Sequence, residues 1–407
     1  YNIKYSYNEN DTTLTKLLVE NDMILDIDLT RIGWLAKGFQ VLDNEVIGRM
    51  SAGTVNQNDG IHTVWGGAGN LQLGPGDMGT YNLNGGTLEA YWQTIGGYDY
   101  NAGEGYFTQE DGTINNAVGL LLGVTSGSYG SYTMNGGTLN VDQWEGVGCR
   151  GENDFTQSGG THEISKEDHG TAGLLIIGDM GRGSYTLSDG YLIVHSGDTG
   201  THPGHVTGMV IGNLAAGSWD DEETTFTSGG TFNQIGGNVT VDHDLIIGNC
   251  VDGDGVYNLN NGTLFAATSI DIGRDGTGTL TQNGGTITVG TLGFQTIVNQ
   301  VNIKTGTGSG TYNLEGGTVY AHGIYNLGKF NYRGGDVQAN FYNAAGAETL
   351  MQASNPANKL IIHNSSTNGG VIWIVDSTAE FVGPMCNLDG ATMHVTNSMV
   401  TFGHTLI

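Results

Sequence analysis

Proline is nearly missing from this chain, four residues in 407, and cysteine occurs only three times. Basic residues are scarce, 13 Lys and Arg against 41 Asp and Glu, which leaves a net charge of −28. No stretch approaches the roughly 18 consecutive apolar residues of a membrane-spanning helix. No window sustains the three-and-four apolar spacing of an amphipathic helix. Each shortage excludes something. Low proline argues against a proline-rich disordered chain. The shortage of Lys and Arg makes a nucleic-acid partner improbable, because phosphate binding needs a basic surface, and it disfavours an anionic membrane for the same reason. The opening Tyr1-Asn-Ile-Lys-Tyr-Ser has no charged and apolar leader, which reads as a mature form.

What the chain has in abundance is glycine, 71 residues, and the glycines are spaced. In Tyr132-Thr-Met-Asn-Gly-Gly-Thr-Leu-Asn-Val141, Tyr132 and Met134 share one face and Leu139 and Val141 another, the period-two pattern of half-buried strands. The paired Gly136-Gly137 supplies the backbone angles of a sharp corner between them.

About eleven copies follow the same rule, an apolar residue five positions before the last corner glycine. They are Val55/Gly60, Tyr81/Gly86, Phe107/Gly112, Tyr132/Gly137, Phe155/Gly160, Tyr185/Gly190, Tyr257/Gly262, Leu280/Gly285, Tyr312/Gly317 and Phe330/Gly335, with Phe226/Gly230 as a copy one residue short. A second mark falls between them, as in Leu71-Gln-Leu-Gly74, Leu120-Leu-Leu-Gly123, Leu174-Leu-Ile-Ile-Gly178 and Leu245-Ile-Ile-Gly248. Each period thus holds three short apolar runs separated by glycine turns. Self-similarity at this length marks a stacked repeat protein. Three strands per rung of about 25 residues predict an all-β, single-stranded parallel β-helix (β-solenoid), rungs about 4.8 Å apart. A β-propeller repeat is longer, about 40–45 residues.

Residues 1–43 lack the corner and read as an atypical end cap or a subunit-docking segment. Residues 44–340 are the regular solenoid, and 341–407 read as irregular C-terminal rungs. The Tyr/Leu pairs, Tyr132/Met134 among them, are expected inside as an aromatic ladder beside an aliphatic one, with Gln109, Gln157 and Gln282 in the Leu position as stacked amides. The alternative puts those rings outside as a carbohydrate platform. Cys149 and Cys250 would lie about 14 Å apart along such a stack, beyond the roughly 7 Å reach of a disulfide, so three unpaired thiols are expected.

The phrases Gly79-Thr-Tyr-Asn-Leu-Asn-Gly-Gly-Thr-Leu88, Phe226-Thr-Ser-Gly-Gly-Thr231 and Asp244-Leu-Ile-Ile-Gly-Asn249 resemble repeats of bacterial exported proteins carrying PEP-CTERM sorting signals and of autotransporter passenger domains. The resemblance covers roughly residues 44–340. It implies a secreted or surface-anchored right-handed β-helix and supplies no catalytic residues.

Candidate chemistry is sparse. The outward positions Glu89, Asn140, Glu163, Ile193, Thr288 and Tyr320 form no ladder of carboxylates or basic residues such as a β-helix lyase or hydrolase would carry. No catalytic residue and no cofactor is expected. Asp252-Gly-Asp254 and Asp220-Asp-Glu-Glu223 match no complete calcium loop. Histidine is the least bland cluster. His162, His169, His195, His202, His205 and His243 fall on successive strand-two loops and would stack on one edge, a transition-metal lane or else a hydrated polar edge.

The expected function is that of a non-enzymatic extracellular or cell-surface structural protein, a filament, surface-layer or matrix subunit assembling end to end. The self-association rests on the apolar residues of 11–43 and on Met399-Val-Thr-Phe-Gly-His-Thr-Leu-Ile407, an apolar stretch after which the native chain would continue. The alternative is an extracellular protein that binds or cleaves polysaccharide, or an adhesin stalk.

Overall fold

The computed structural model describes residues 2–4, 12–14, 17–19, 23–28, 38–41, 44–64, 69–98, 101–164, 173–195, 208–213, 228–290, 300–355 and 359–404. Every regular element among them is a β-strand. The chain divides into two compact units, Tyr1–Gly208 with Trp219–Gly229, and Met209–Ser218 with Gly230–Ile407.

The rung built from Tyr129–Met134, Thr138–Val141 and Trp144–Val147 shows the plan in the first unit. Its first strand pairs in parallel with Glu104–Gln109 on one side and Glu152–Gln157 on the other. Its second and third strands pair with the two halves of Thr113–Leu122 below, and with Thr161–Ile164 and Leu174–Ile177 above. Alternate residues face inward, so Tyr132, Met134, Leu139 and Val141 are buried while Thr133 and Asn140 stay partly exposed. The second unit repeats the plan from Gly253–Leu259 through Thr277–Gln282 and Ser309–Leu314 to Thr392–Thr396. The fold is an all-β parallel β-solenoid.

The corners follow the glycines. Gly137 has φ +77°, a backbone that side chains disfavour, and a Cβ there would run into the Gly112 carbonyl of the preceding rung. One corner was expected in the wrong place. Gly229 and Gly230 lie inside the strand Ser228–Gln234, and the left-handed corner is Gly237, five residues after the buried Phe232. The five-residue rule therefore holds there without a deletion. Within 1–43, the described strand Met23–Asp28 pairs in parallel with Gly53–Asp59. Toward the C-terminus the third-strand corner changes chemistry. Asn326, Asn343 and Asn368 are fully buried, each amide donating to the next (Asn387 the last acceptor) at 2.7–2.8 Å.

The inward aromatic column is the main packing feature of the first unit. Tyr81, Phe107, Tyr132, Phe155 and Tyr185 stack ring on ring, centroids 4.5–5.1 Å apart and planes within 15°. The expected glutamines are inside, but they do not stack on one another. Rungs alternate between two kinds. One carries Gln in the second inward position (Gln57, Gln109, Gln157, Gln234, Gln282), and the next carries Tyr in the first (Tyr81, Tyr132, Tyr185, Tyr257, Tyr312). Each Tyr hydroxyl donates to the Gln Oε1 below it at 2.6–2.9 Å. Gln109 Nε2 donates to the Gly112 carbonyl of its own corner and the Thr138 carbonyl of the next rung, so one amide staples two rungs. The structural repeat is therefore two rungs.

Replacing Tyr132 with Phe strands the Gln109 oxygen and is expected to cost about 1–3 kcal/mol. In a double-mutant cycle with Gln109→Leu the two losses should fall short of additivity by about 0.5 kcal/mol or more. Urea unfolding of the four proteins measures it, and strict additivity would remove the Tyr–Gln bond as a source of stability.

Candidate functional site

Besides the Tyr–Gln staples, three polar pairs cross the interior of the first unit. In the third-strand column, Glu45, Leu71, Gln93, Leu120, Glu145 and Leu175 sit level with one another on consecutive rungs, so a polar residue recurs at every second rung. Each polar member reaches a second-strand residue of the following rung. Glu145 meets His162, Glu45 meets His62, and Gln93 meets Asn116. His162 and His62 occupy the column of Leu88, Leu139 and Leu192, while Asn116 lies one inward position further along its strand.

The His162 bridge is hydrogen-bonded at both ring nitrogens. Glu145 and His162 are both fully buried, with His162 Nε2 2.7 Å from Glu145 Oε2 and Nδ1 2.9 Å from the Tyr185 hydroxyl. Tyr185 donates to Gln157 Oε1 at 2.7 Å, and Gln157 Nε2 donates to the Tyr191 carbonyl at 3.1 Å. The imidazole stacks on Phe155 at 5.0 Å and 11°. The His62 bridge repeats the chain through Tyr81 and Gln57, with His62–Tyr81 and Tyr81–Gln57 both 2.7 Å. There the Glu45 carboxylate approaches His62 Nε2 at 2.8 Å but off the hydrogen-bond axis, a looser version of the same pair. In the neutral bridge Asn116 Nδ2 donates to Gln93 Oε1 at 3.2 Å.

Electrostatics agree with this wiring. Burial, and then the nearby carboxylate, push the Tyr81 hydroxyl well above the usual phenol range, and burial and Glu145 do the same to Tyr185. Both phenols remain donors. With both ring nitrogens and a carboxylate fully enclosed, the arrangement offers nothing to a substrate.

The expected histidine lane does not survive as one edge. His162 points into the core with both nitrogens engaged, whereas its neighbour Glu163 faces outward and pairs with His195 at 2.9 Å. His243 is half-exposed beside Asp244 at 3.2 Å. His169, His202 and His205 lie outside the described residues, as do Asp220 to Glu223. Among the described residues no three His, Cys, Asp or Glu side chains come together as a metal site. No disulfide joins the cysteines, and Cys149 is buried, its thiol pushed far up first by burial and then by Asp179.

Sequence reasoning missed Glu45, His62, Gln57, Glu145, Gln93 and Asn116. A signal was present, since Glu45 to His62 and Glu145 to His162 are the same 17 positions apart. Fold and interior together define a parallel β-solenoid whose first unit is threaded by polar bridges. No family model, curated protein or solved structure matches the chain.

Removing one partner of a buried hydrogen-bonded pair leaves the other stranded. His162→Leu should therefore destabilise the fold by about 3–5 kcal/mol at neutral pH. Glu145→Leu/His162→Leu, which installs the leucine found one rung away in each column, should recover to within about 2 kcal/mol of the parent. Urea midpoints decide it; a double variant as weak as the single one would contradict the pairing.

Proposed function

We propose that this chain is a non-enzymatic extracellular structural protein, the subunit of a filament, surface layer or matrix that assembles end to end. The carrying observation is the parallel ladder of each unit, in which the peptide groups of one described rung pair with those of the next along the stack. The same pairing is what one copy of the chain can offer another end to end. Contact between unlike ends propagates a filament unless its rotation closes a ring. The charge of −28 opposes lateral clumping, so salt or divalent cations favour assembly by screening it. The resemblance to exported repeat proteins supports the extracellular placement.

A second reading, a protein that binds extracellular polysaccharide, draws on surface aromatics. Trp373 is 37% exposed and stacks on His394 at 4.0 Å, a flat apolar face of the kind a sugar ring packs against.

Sedimentation velocity over a range of salt and concentration tests assembly. The parent chain is expected to form salt-promoted oligomers that dissociate again on dilution into low salt. A parent that remains monomeric throughout ends the filament reading, and retardation in polysaccharide-containing native gels that Trp373→Ala abolishes would install the second.

A further inference from the structure

The outer face of the first strands carries a tyrosine pair that the core packing does not use. Tyr106 and Tyr129 point outward from consecutive rungs, on the parallel strands Glu104–Gln109 and Tyr129–Met134, and both are partly exposed. The register sets Tyr129 level with Glu104 and Tyr106 level with Ser131. The two rings are therefore diagonal neighbours, and the small serine leaves room for them to meet. Their centroids lie 5.9 Å apart with the planes at 55°. Tyr132, on the same strand as Tyr129, is by contrast fully buried and gives its proton to Gln109.

Each phenol of the outer pair gives its proton to a carboxylate. The Tyr106 hydroxyl donates to Glu104 Oε2 at 2.8 Å, and the Tyr129 hydroxyl donates to Asp154 Oδ2 of the next rung at 2.9 Å. The Glu104 bond, with burial behind it, pushes the Tyr106 phenol up to about 12, and burial followed by the Asp154 bond raises Tyr129. At neutral pH both are neutral phenols, each with its proton already directed at a base. A phenol loses an electron far more readily when its proton can leave at the same time, and these carboxylates are where the protons go. Tyr325 and Tyr342 of the second unit approach as closely, at 5.8 Å, but neither hydroxyl bonds a carboxylate of the described residues.

We propose that Tyr106 and Tyr129, with Glu104 and Asp154 as their proton acceptors, are an oxidative cross-linking site, at which a haem peroxidase with hydrogen peroxide couples the two rings into a dityrosine. Each phenol loses an electron to the oxidised haem and its hydroxyl proton, through its carboxylate, to solvent. One peroxide takes up those two electrons and two protons and becomes two waters. The two phenoxyl radicals then join by a carbon–carbon bond between ring positions ortho to the oxygens. The hydrogens at those positions leave as protons while the oxygens take protons back, which restores both hydroxyls. The net change in the protein is the loss of two hydrogen atoms. The new bond staples two rungs that peptide hydrogen bonds already hold side by side, so it needs no second molecule and does not depend on assembly of the chain.

The test uses the full chain as an equal mixture of isotope-labelled and unlabelled copies, treated with a haem peroxidase and hydrogen peroxide and then cut by a glutamate-specific protease. Cleavage after Glu104, Glu110 and Glu145 puts Tyr106 in the peptide 105–110 and Tyr129 in 111–145. Mass spectrometry is expected to show these two peptides joined, two hydrogens lighter than their sum, with both halves carrying the same label. Tyr129→Phe should lose the joined species. Peptide 105–110 recovered unlinked, a link that survives in Tyr129→Phe, or a link between labelled and unlabelled copies overturns the proposal. Glu104→Gln/Asp154→Asn keeps the shape of the site and removes its proton acceptors. Coupling in that variant should slow by about a hundredfold, the low end of what a positioned base contributes; an unchanged rate overturns the proposal.

Discussion

Hydrogen bonding between parallel strands sets each rung about 4.8 Å above the last, and nearly everything in this protein answers to that spacing. A side chain on one rung has no freedom to avoid its equivalent on the next; it must lie on top of it. Flat rings satisfy the constraint, which is why Tyr81, Phe107, Tyr132, Phe155 and Tyr185 form a column at 4.5–5.1 Å. Asparagine amides satisfy it by donating along the stack, as Asn326, Asn343 and Asn368 do. Glycines satisfy it at the corners, where a Cβ would meet the carbonyl below.

Charge cannot be stacked so simply. Carboxylates on consecutive rungs would repel at close range in a dry interior. The first unit places leucine between its polar residues and sends each polar side chain to a different strand of the next rung, Glu145 to His162 and Glu45 to His62. A buried ion pair is an uncertain source of stability, because desolvation offsets most of its attraction. The extra bonds through Tyr185 and Gln157 satisfy His162's second nitrogen and tie the pair into the rung above. The outer carboxylate oxygen, Glu145 Oε1, has no such partner, so the network is not fully compensated.

Much of the fold was legible because its signals are local. A glycine needing positive φ and an apolar residue five positions earlier fix each corner and which way its strand faces, and ten such pairs stand where the spacing put them. The rule was misapplied at Gly229–Gly230, where a Thr after two glycines imitates a corner, while Ile235-Gly236-Gly237-Asn238 forms one without the Thr. The histidines were harder. Reading Glu163 as outward already requires its strand neighbour His162 to point inward, yet His162 was grouped with loop residues by composition. Parity along the strand, carried up from Leu139, would have placed it. Its partner Glu145 lies on another strand of the preceding rung, and only a register for all three strands brings the two together.

That register has to be enforced, and the two-rung alternation enforces it. A stack of near-identical rungs is prone to slip, since each strand finds much the same partner one rung along. Slipping the first unit by one rung would set Tyr above Tyr and Gln above Gln, leaving Gln57, Gln109 and Gln157 each with an oxygen and no phenol to donate to it. Every stranded amide costs about 1–3 kcal/mol. A slip of two rungs restores those bonds, but it sets Glu145 or Glu45 in the place of Gln93, opposite the Asn116 amide instead of an imidazole. Only a four-rung shift would bring Glu–His onto Glu–His again. Alternating Tyr–Gln staples exclude the odd slips and the alternating charge of the bridges excludes the shortest even one, so the polar interior selects a single register from sequence repeats that would otherwise permit several.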